Sequence, residues 1–80
     1  MKIWLVLEAN NCETDIFISD PFYSEDAAIK HLNDVYEEIL DNIGDDAVDT
    51  VFHNDTAYSI MTYGNDYYYG VVRSIEIKER

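Results

Sequence analysis

The chain has 80 residues, about the size of one small domain, and carries 17 acidic residues against five basic ones, a formal net charge of −12. A small domain stays soluble with a net charge of magnitude about 2 to 8, so the excess adds self-repulsion that solubility does not require. The charge argues against direct binding of nucleic acid or an anionic membrane, since both repel a polyanion. It predicts a partner with a positively charged surface.

The composition indicates a folded protein, because 48% of the residues are hydrophobic and 14% are aromatic. The longest apolar run, residues 3–7, is far shorter than the ~20 residues that span a bilayer, and no signal-peptide pattern precedes it. Cys12, the one cysteine, cannot form an internal disulfide, which fits a reducing compartment. The sequence therefore predicts a cytoplasmic protein.

The first predicted strand covers residues 2–8, where apolar residues recur at the two-residue period of a half-buried strand. Its predicted core-facing residues are Ile3, Leu5 and Leu7. Trp4 has the opposite phase, which leaves two roles open: covering a second small cluster or lying at an interface.

A turn and a second strand follow. Residues 10–11 are asparagines, which tolerate left-handed backbone and predict a hairpin turn. The second strand is predicted over residues 15–19, with Ile16 and Ile18 meeting the same core face. Pro21 lacks an amide hydrogen and restricts the residue before it to extended backbone, so the strand ends there.

One helix is predicted over residues 25–42, beginning at the N-cap Ser24 and ending near Gly44. Its apolar residues recur at spacings of three and four, the period of one buried stripe. They are Ala28, Ile29, Leu32, Val35, Tyr36, Ile39 and Leu40. Three strands should follow, over residues 47–53, 56–63 and 67–78, joined by short polar turns. The predicted fold is α+β, one two-layer domain over residues 1–80 of order ββαβββ, with the helix packed on an antiparallel sheet.

The predicted helix presents a row of acidic residues to water, and Lys30 offsets few of them. The predicted partner-binding acids are Asp34, Glu37, Glu38, Asp41, Asp45, Asp46 and Asp49. Such a row can resemble the phosphate charges of a nucleic acid, which recur about every 1.7 Å along a duplex. The alternative is that it is only a solvated helix surface.

Tyrosines around residues 64–66 form a second candidate surface. Consecutive strand residues point to opposite faces, so the three tyrosines at residues 67–69 cannot all be buried in a domain with one core. Tyr67 and Tyr69 are the predicted partner-binding aromatics, since tyrosine is enriched at recognition surfaces. Ordinary cross-strand packing of aromatic residues is the alternative.

No catalytic motif is present. His31, His53 and Cys12 have none of the spacings of metal sites, and no basic residue adjoins Cys12 to stabilise a thiolate. The sequence therefore predicts no catalytic residues, no metal and no cofactor, and an enzyme, such as a small hydrolase, is the third choice of function.

Three segments carry a resemblance to known proteins: residues 1–8 (MKIWLVLE), residues 16–18 (IFI) and residues 24–28 (SEDAA). Together they resemble a layout common in small proteins of bacteriophages and mobile elements, over roughly residues 1–35. The resemblance implies a context in which compact acidic proteins inhibit host defence, some by resembling DNA and blocking restriction or CRISPR effector complexes. It implies no role for any single residue.

These observations favour a noncatalytic, anti-CRISPR-like or anti-restriction-like inhibitor that binds a basic nucleic-acid-binding surface of a host defence or nucleic-acid-processing protein. The alternative is an immunity-type or regulatory protein-binding module that uses its tyrosine-rich sheet surface. An exposed edge of the sheet also leaves a homodimer open.

Overall fold

One α-helix and five strands make up the fold in a computed structural model that describes residues 1–12 and 16–78. The elements are β1 (Lys2–Asn10), β2 (Phe17–Ile18), α1 (Glu25–Ile43), β3 (Val48–His53), β4 (Ala57–Thr62) and β5 (Tyr67–Glu76). A 3-10 helix, Asp45–Ala47, lies between α1 and β3. The α+β class is confirmed, and the order agrees with the prediction apart from this added turn.

The strands form one antiparallel sheet in the order β2-β1-β5-β4-β3. Strand β1 pairs with β5 along its whole length, from Lys2 opposite Glu76 to Asn10 opposite Tyr68. Consecutive strands β3, β4 and β5 pair as hairpins through the two predicted polar turns. The first strand of the chain therefore lies beside the last, and β5 is the central strand.

Both ends of α1 follow from local sequence. The Ser24 Oγ accepts a hydrogen bond from the Ala27 N–H at 3.2 Å, which satisfies one of the free donors of the first turn. At the other end Gly44 takes φ 85°, and its N–H donates to the Leu40 carbonyl at 2.9 Å. The predicted N-cap and stop are confirmed.

The core lies between α1 and one face of the sheet. Ala28 and Leu32 of the helix are fully buried against residues from β1, β4 and β5. Those sheet residues are Val6, Tyr58, Ile60 and Val72. The α-helix in the described residues lacks the combination of length and hydropathy that crossing a bilayer requires.

The predicted core face of β1 is wrong. Val6 is fully buried under α1 and Trp4 packs against the same cluster, so the residues of opposite phase lie on the far side of the sheet. Those residues are Ile3, Leu5 and Leu7. The helix takes the Val6 side because the Tyr58 ring lies over Gly70 there, where the absence of a Cβ leaves space for it.

Strand β2 also differs from its prediction. It is limited to Phe17–Ile18, and Ile16 and Ile18 are exposed instead of meeting the core. Ile18 is paired opposite Leu7, on the side of the sheet away from α1. The predicted strand start, Asp15, lies outside the described residues.

Candidate functional site

The outward surface of α1 carries exposed carboxylates of Asp34, Glu37 and Asp41. The Lys30 ammonium lies 2.9 Å from the Asp34 carboxylate, an i,i+4 ion pair that partly neutralises this end of the row. Glu37 and Asp41 are themselves four residues apart, so their like charges repel. The strongest uncompensated charge on α1 therefore lies in its second half.

Glu38 is exposed but borders the sheet side of the helix, where it helps line a cavity of about 290 Å³. Glu8 of β1 lies across that cavity, and Phe17, Val35 and Tyr68 supply apolar walls. Burial raises the pKa of Glu8; the nearby Glu38 carboxylate raises it further, and His31 opposes this. Glu38 thus belongs to two surfaces, the acidic helix and this cavity.

The acidic surface continues beyond α1. Asp45 and Asp46 lie in the 3-10 helix that directly follows Gly44, and both are exposed. Asp49 is exposed on β3, where the pairing with β4 is irregular. All seven predicted acids are therefore accessible to a partner, and we refer to their exposed carboxylates as the acidic face: Asp34, Glu37, Glu38, Asp41, Asp45, Asp46 and Asp49.

The three tyrosines that begin β5 alternate between the two sides of the sheet. Tyr68 packs against the core under α1, whereas Tyr67 and Tyr69 lie on the far side, opposite Met61 and Ser59 of β4. Tyr69 is exposed, which confirms the prediction that the three tyrosines are not all buried.

The two predicted surfaces, the acids of α1 and the tyrosines of β5, do not adjoin in the structure. Tyr67 and Tyr69 are separated from the acidic residues of α1 by the sheet itself. Because alternation along β5 fixes their side once Tyr68 faces the helix, a single interface cannot join these tyrosines to the α1 carboxylates.

Tyr63 is the aromatic residue that does lie beside the acids. Its side chain is 69% exposed, and its N–H donates to the carbonyl of Ala47 in the 3-10 helix at 3.0 Å. The sequence interpretation placed Tyr63 in a strand and gave it no separate role. The bond to Ala47 continues the β3–β4 hairpin by one residue, so the predicted strands over residues 47–53 and 56–63 already contained the signal for it.

The histidines and the cysteine have contacts with neighbouring side chains. The His53 ring stacks on Tyr36 at 4.0 Å between centroids, and its Nε2 donates to the Asn33 Oδ1 at 2.6 Å. The Cys12 thiol donates to an Asp66 carboxylate oxygen at 3.4 Å. Within residues 1–12 and 16–78, no three His, Cys, Asp or Glu side chains come together as a metal site would need.

Of the basic residues near the end of the chain, the described ones, Arg73 and Lys78, form no ion pair with the acidic face. Arg73 donates to the Val72 carbonyl, and the ion pairs of the described residues are Lys30 with Asp34 and the N-terminal ammonium with Glu76. The fold and its surface thus define a small α+β protein whose helix and following turn carry a run of exposed acids. No protein family, curated protein or solved structure matches the chain.

Proposed function

We propose that the protein is a noncatalytic inhibitor whose acidic face occupies a basic nucleic-acid-binding surface of a host defence or nucleic-acid-processing protein. The observation that carries the proposal is the acidic face itself, which extends from α1 through the 3-10 helix to β3 with Lys30 as its paired cation. Such a surface offers negative oxygens where the target normally binds phosphates.

The spacing of the carboxylates supports joint action on a partner. Asp34 and Asp41 are separated by about 10 Å along the helix, close to the Debye length of about 8 Å at physiological salt. Their fields therefore overlap, and Asp45 and Asp46 extend the same sign of charge past the helix end. Complementary charge of this kind accelerates association and selects basic partners.

Tyr63 is the aromatic contact that this interface would use. It is exposed and adjoins the Asp45–Ala47 helix, so it can reach the surface that the carboxylates approach. Tyrosine brings a large contact area and a hydroxyl with few rotors to immobilise. In the proposed complex Tyr63 replaces Tyr67 and Tyr69 as the anchor beside the acids.

The test begins with capture of partners from a bacterial lysate by the tagged protein, with and without nuclease, at low and high salt. A captured nucleic-acid-binding protein is then titrated with the wild type and with a Glu37→Lys/Asp41→Lys variant. Reversal of two central charges should weaken binding at least tenfold, or about 1.4 kcal/mol, and abolish competition with the target's DNA or RNA.

The matched control is Asp20→Lys/Asp55→Lys, which makes the same change in net charge at two exposed loop positions outside the acidic face. If binding depended only on net charge, both double variants would lose it equally, and the proposed footprint would be wrong. Retained binding by a folded Glu37→Lys/Asp41→Lys protein would also refute it.

A second candidate, the immunity-type or regulatory binding module, is favoured by a separate observation. Tyr67 and Tyr69 lie on the side of the sheet that α1 does not cover. Binding through that side should tolerate high salt and be lost on Tyr69→Ala, whereas binding through the acidic face should fall steeply with salt.

A further inference from the structure

The side of the sheet opposite α1 is largely apolar, and no helix or strand of the described residues packs on it, although Val71 near its centre is only 6% exposed. Its centre is formed by six residues, which we call the open sheet face: Ile3, Leu7, Met61, Tyr69, Val71 and Ile75. Ile3 is paired opposite Ile75 and Leu7 opposite Val71. The pair between them on this side is Leu5 and Arg73, so the apolar surface is continuous along β1 and interrupted by Arg73 along β5. Ile18 and Phe52, both exposed, extend the patch toward the two edges of the sheet.

The size of this side of the sheet decides whether it can form a protein contact. With a rise of about 3.3 Å per residue and about 4.8 Å between strands, the five strands have a flat outline of roughly 500 Å². A standard interface buries ~800 Å² per partner, so a contact through this side would involve most of its residues, including the exposed Ile18 and Phe52 at its edges. Soluble monomers rarely expose contiguous apolar patches above a few hundred Å². The open sheet face is therefore large enough for a stable protein contact.

The charge distribution selects the kind of partner. Although the chain has a net charge of −12, strands β1, β4 and β5 place no Asp or Glu on this side; Glu8 and Glu76 have the opposite phase. A basic partner would be drawn to the acidic face instead. A second copy of the chain brings a surface of the same size that likewise carries no Asp or Glu from β1, β4 and β5.

We propose that a second copy of the chain covers the open sheet face, forming a two-fold β-sandwich with an α1 helix on each outer side. Packed sheets lie about 10 Å apart, and each helix lies beyond its own sheet. The two acidic helices are then separated by several Debye lengths of about 8 Å. Their repulsion is largely screened, so the high net charge does not prevent this association.

Arg73 determines the relative direction of the two copies, because it is the one charged residue that β1, β4 and β5 place on this side. Two-fold symmetry with parallel β5 strands would bring Arg73 against Arg73 of the second copy, and like charges oppose that arrangement. With antiparallel β5 strands crossing at Val71, Arg73 faces Tyr69 of the second copy. The tyrosine ring and hydroxyl then interact favourably with the guanidinium.

The mass of the wild-type protein in solution tests the proposal directly. Light scattering and sedimentation from low micromolar to near-millimolar protein should give twice the chain mass of 9.3 kDa, with the dimer favoured at high salt. A mass of one chain throughout that range would overturn the proposal, including the case in which the monomer uses this face for a different protein. This measurement uses only the wild-type protein, so its outcome does not depend on whether a variant folds.

A pair of variants tests the location of the contact. Ile75→Lys/Met61→Lys places charge at two exposed positions of the open sheet face and should raise the dimer dissociation constant at least tenfold. Val51→Lys is the control, because Val51 is 40% exposed, close to the 45% of Ile75, but is paired opposite the core residue Ile60. If the folded Ile75→Lys/Met61→Lys protein dimerised with an unchanged dissociation constant, the open sheet face would not be the contact surface.

Discussion

Tyr58 is the residue on which the core of this small domain depends most visibly. Its side chain is fully buried, its ring packs 5.7 Å from that of Tyr36, and burial raises the pKa of its hydroxyl, with the nearby Glu8 carboxylate adding to the effect. The ring occupies the space over Gly70, where a Cβ would lie 2.6 Å from the Tyr58 Cζ. The position of the Tyr58 ring on β4 therefore requires glycine at position 70 of the neighbouring strand β5.

Gly70→Ala should destabilise the protein by about 1–3 kcal/mol, because the added methyl group displaces a packed aromatic ring. Urea unfolding followed by circular dichroism measures the loss. Gly64→Ala is the control, since a Cβ there would meet nothing closer than the Thr62 hydroxyl at 3.8 Å. Equal stability of the two variants would show that the Tyr58 ring can move away without cost.

Glu8 makes stability depend on pH in a direction opposite to that of most carboxylates. Burial raises its pKa above the ordinary value of 4.5, so the folded protein binds the proton more tightly than the unfolded chain does. This contribution to stability is present below pH 4.5 and is lost as pH rises through the folded-state pKa.

Glu8→Gln should therefore melt at a higher temperature than the wild type at neutral pH, and the advantage should vanish below pH 4.5, where Glu8 is protonated in both states. Thermal melts over a pH series provide the comparison. Glu37→Gln, on the outer surface of α1, removes the same charge and controls for net-charge relief. An identical pH profile for the two variants would contradict the role assigned to burial of Glu8.

At the level of elements, α1 is stabilised by its cap as well as by its buried stripe. Ser24→Ala removes the oxygen that accepts from Ala27 and should cost about 1 kcal/mol of unfolding free energy. Ser24→Thr keeps a hydroxyl at the N-cap and should lose much less. Equal losses in the two variants, measured by urea unfolding, would show that the cap contributes little.

The boundaries of α1 could be predicted from sequence because several local signals agree. The apolar spacing, the Ser24 cap and the Gly44 stop all act within one or two turns of the chain, so no distant contact is needed to interpret them. The alternation of Tyr67, Tyr68 and Tyr69 was predictable for the same reason.

The side of the sheet that α1 covers could not be predicted in this way. Residues 3–7 are all apolar, so both phases of β1 offer a hydrophobic face, and local periodicity does not choose between them. The choice depends on Gly70 and Tyr58, which reach β1 only after the chain has folded. The side of the sheet that α1 covers also decides whether Tyr67 and Tyr69 lie on the same side as the acids. Local sequence patterns therefore could not predict which of these residues share a surface.

At the level of the whole molecule, the net charge of −12 should make stability rise with salt. Raising ionic strength from 0.01 M to 0.1 M shortens the Debye length from about 30 Å to about 10 Å, which screens the repulsion among the carboxylates. The melting temperature should increase over this range, and the increase should be smaller for Glu37→Lys/Asp41→Lys. A melting temperature independent of salt would show that the repulsion is already relieved by bound counterions or by the unfolded state.

The pairing of β1 with β5 has a consequence for how the chain acquires its structure. Strand β1 leaves the ribosome first, yet its neighbour along its whole length is β5, which is synthesised last among the described strands. The central pair of the sheet therefore forms after translation of nearly all of the described chain, and until then the apolar residues 3–7 have no strand of this length to pair with. Pairing across such a separation is slow to nucleate, so we expect refolding in milliseconds to seconds, with α1 and the β3–β4 hairpin free to form earlier.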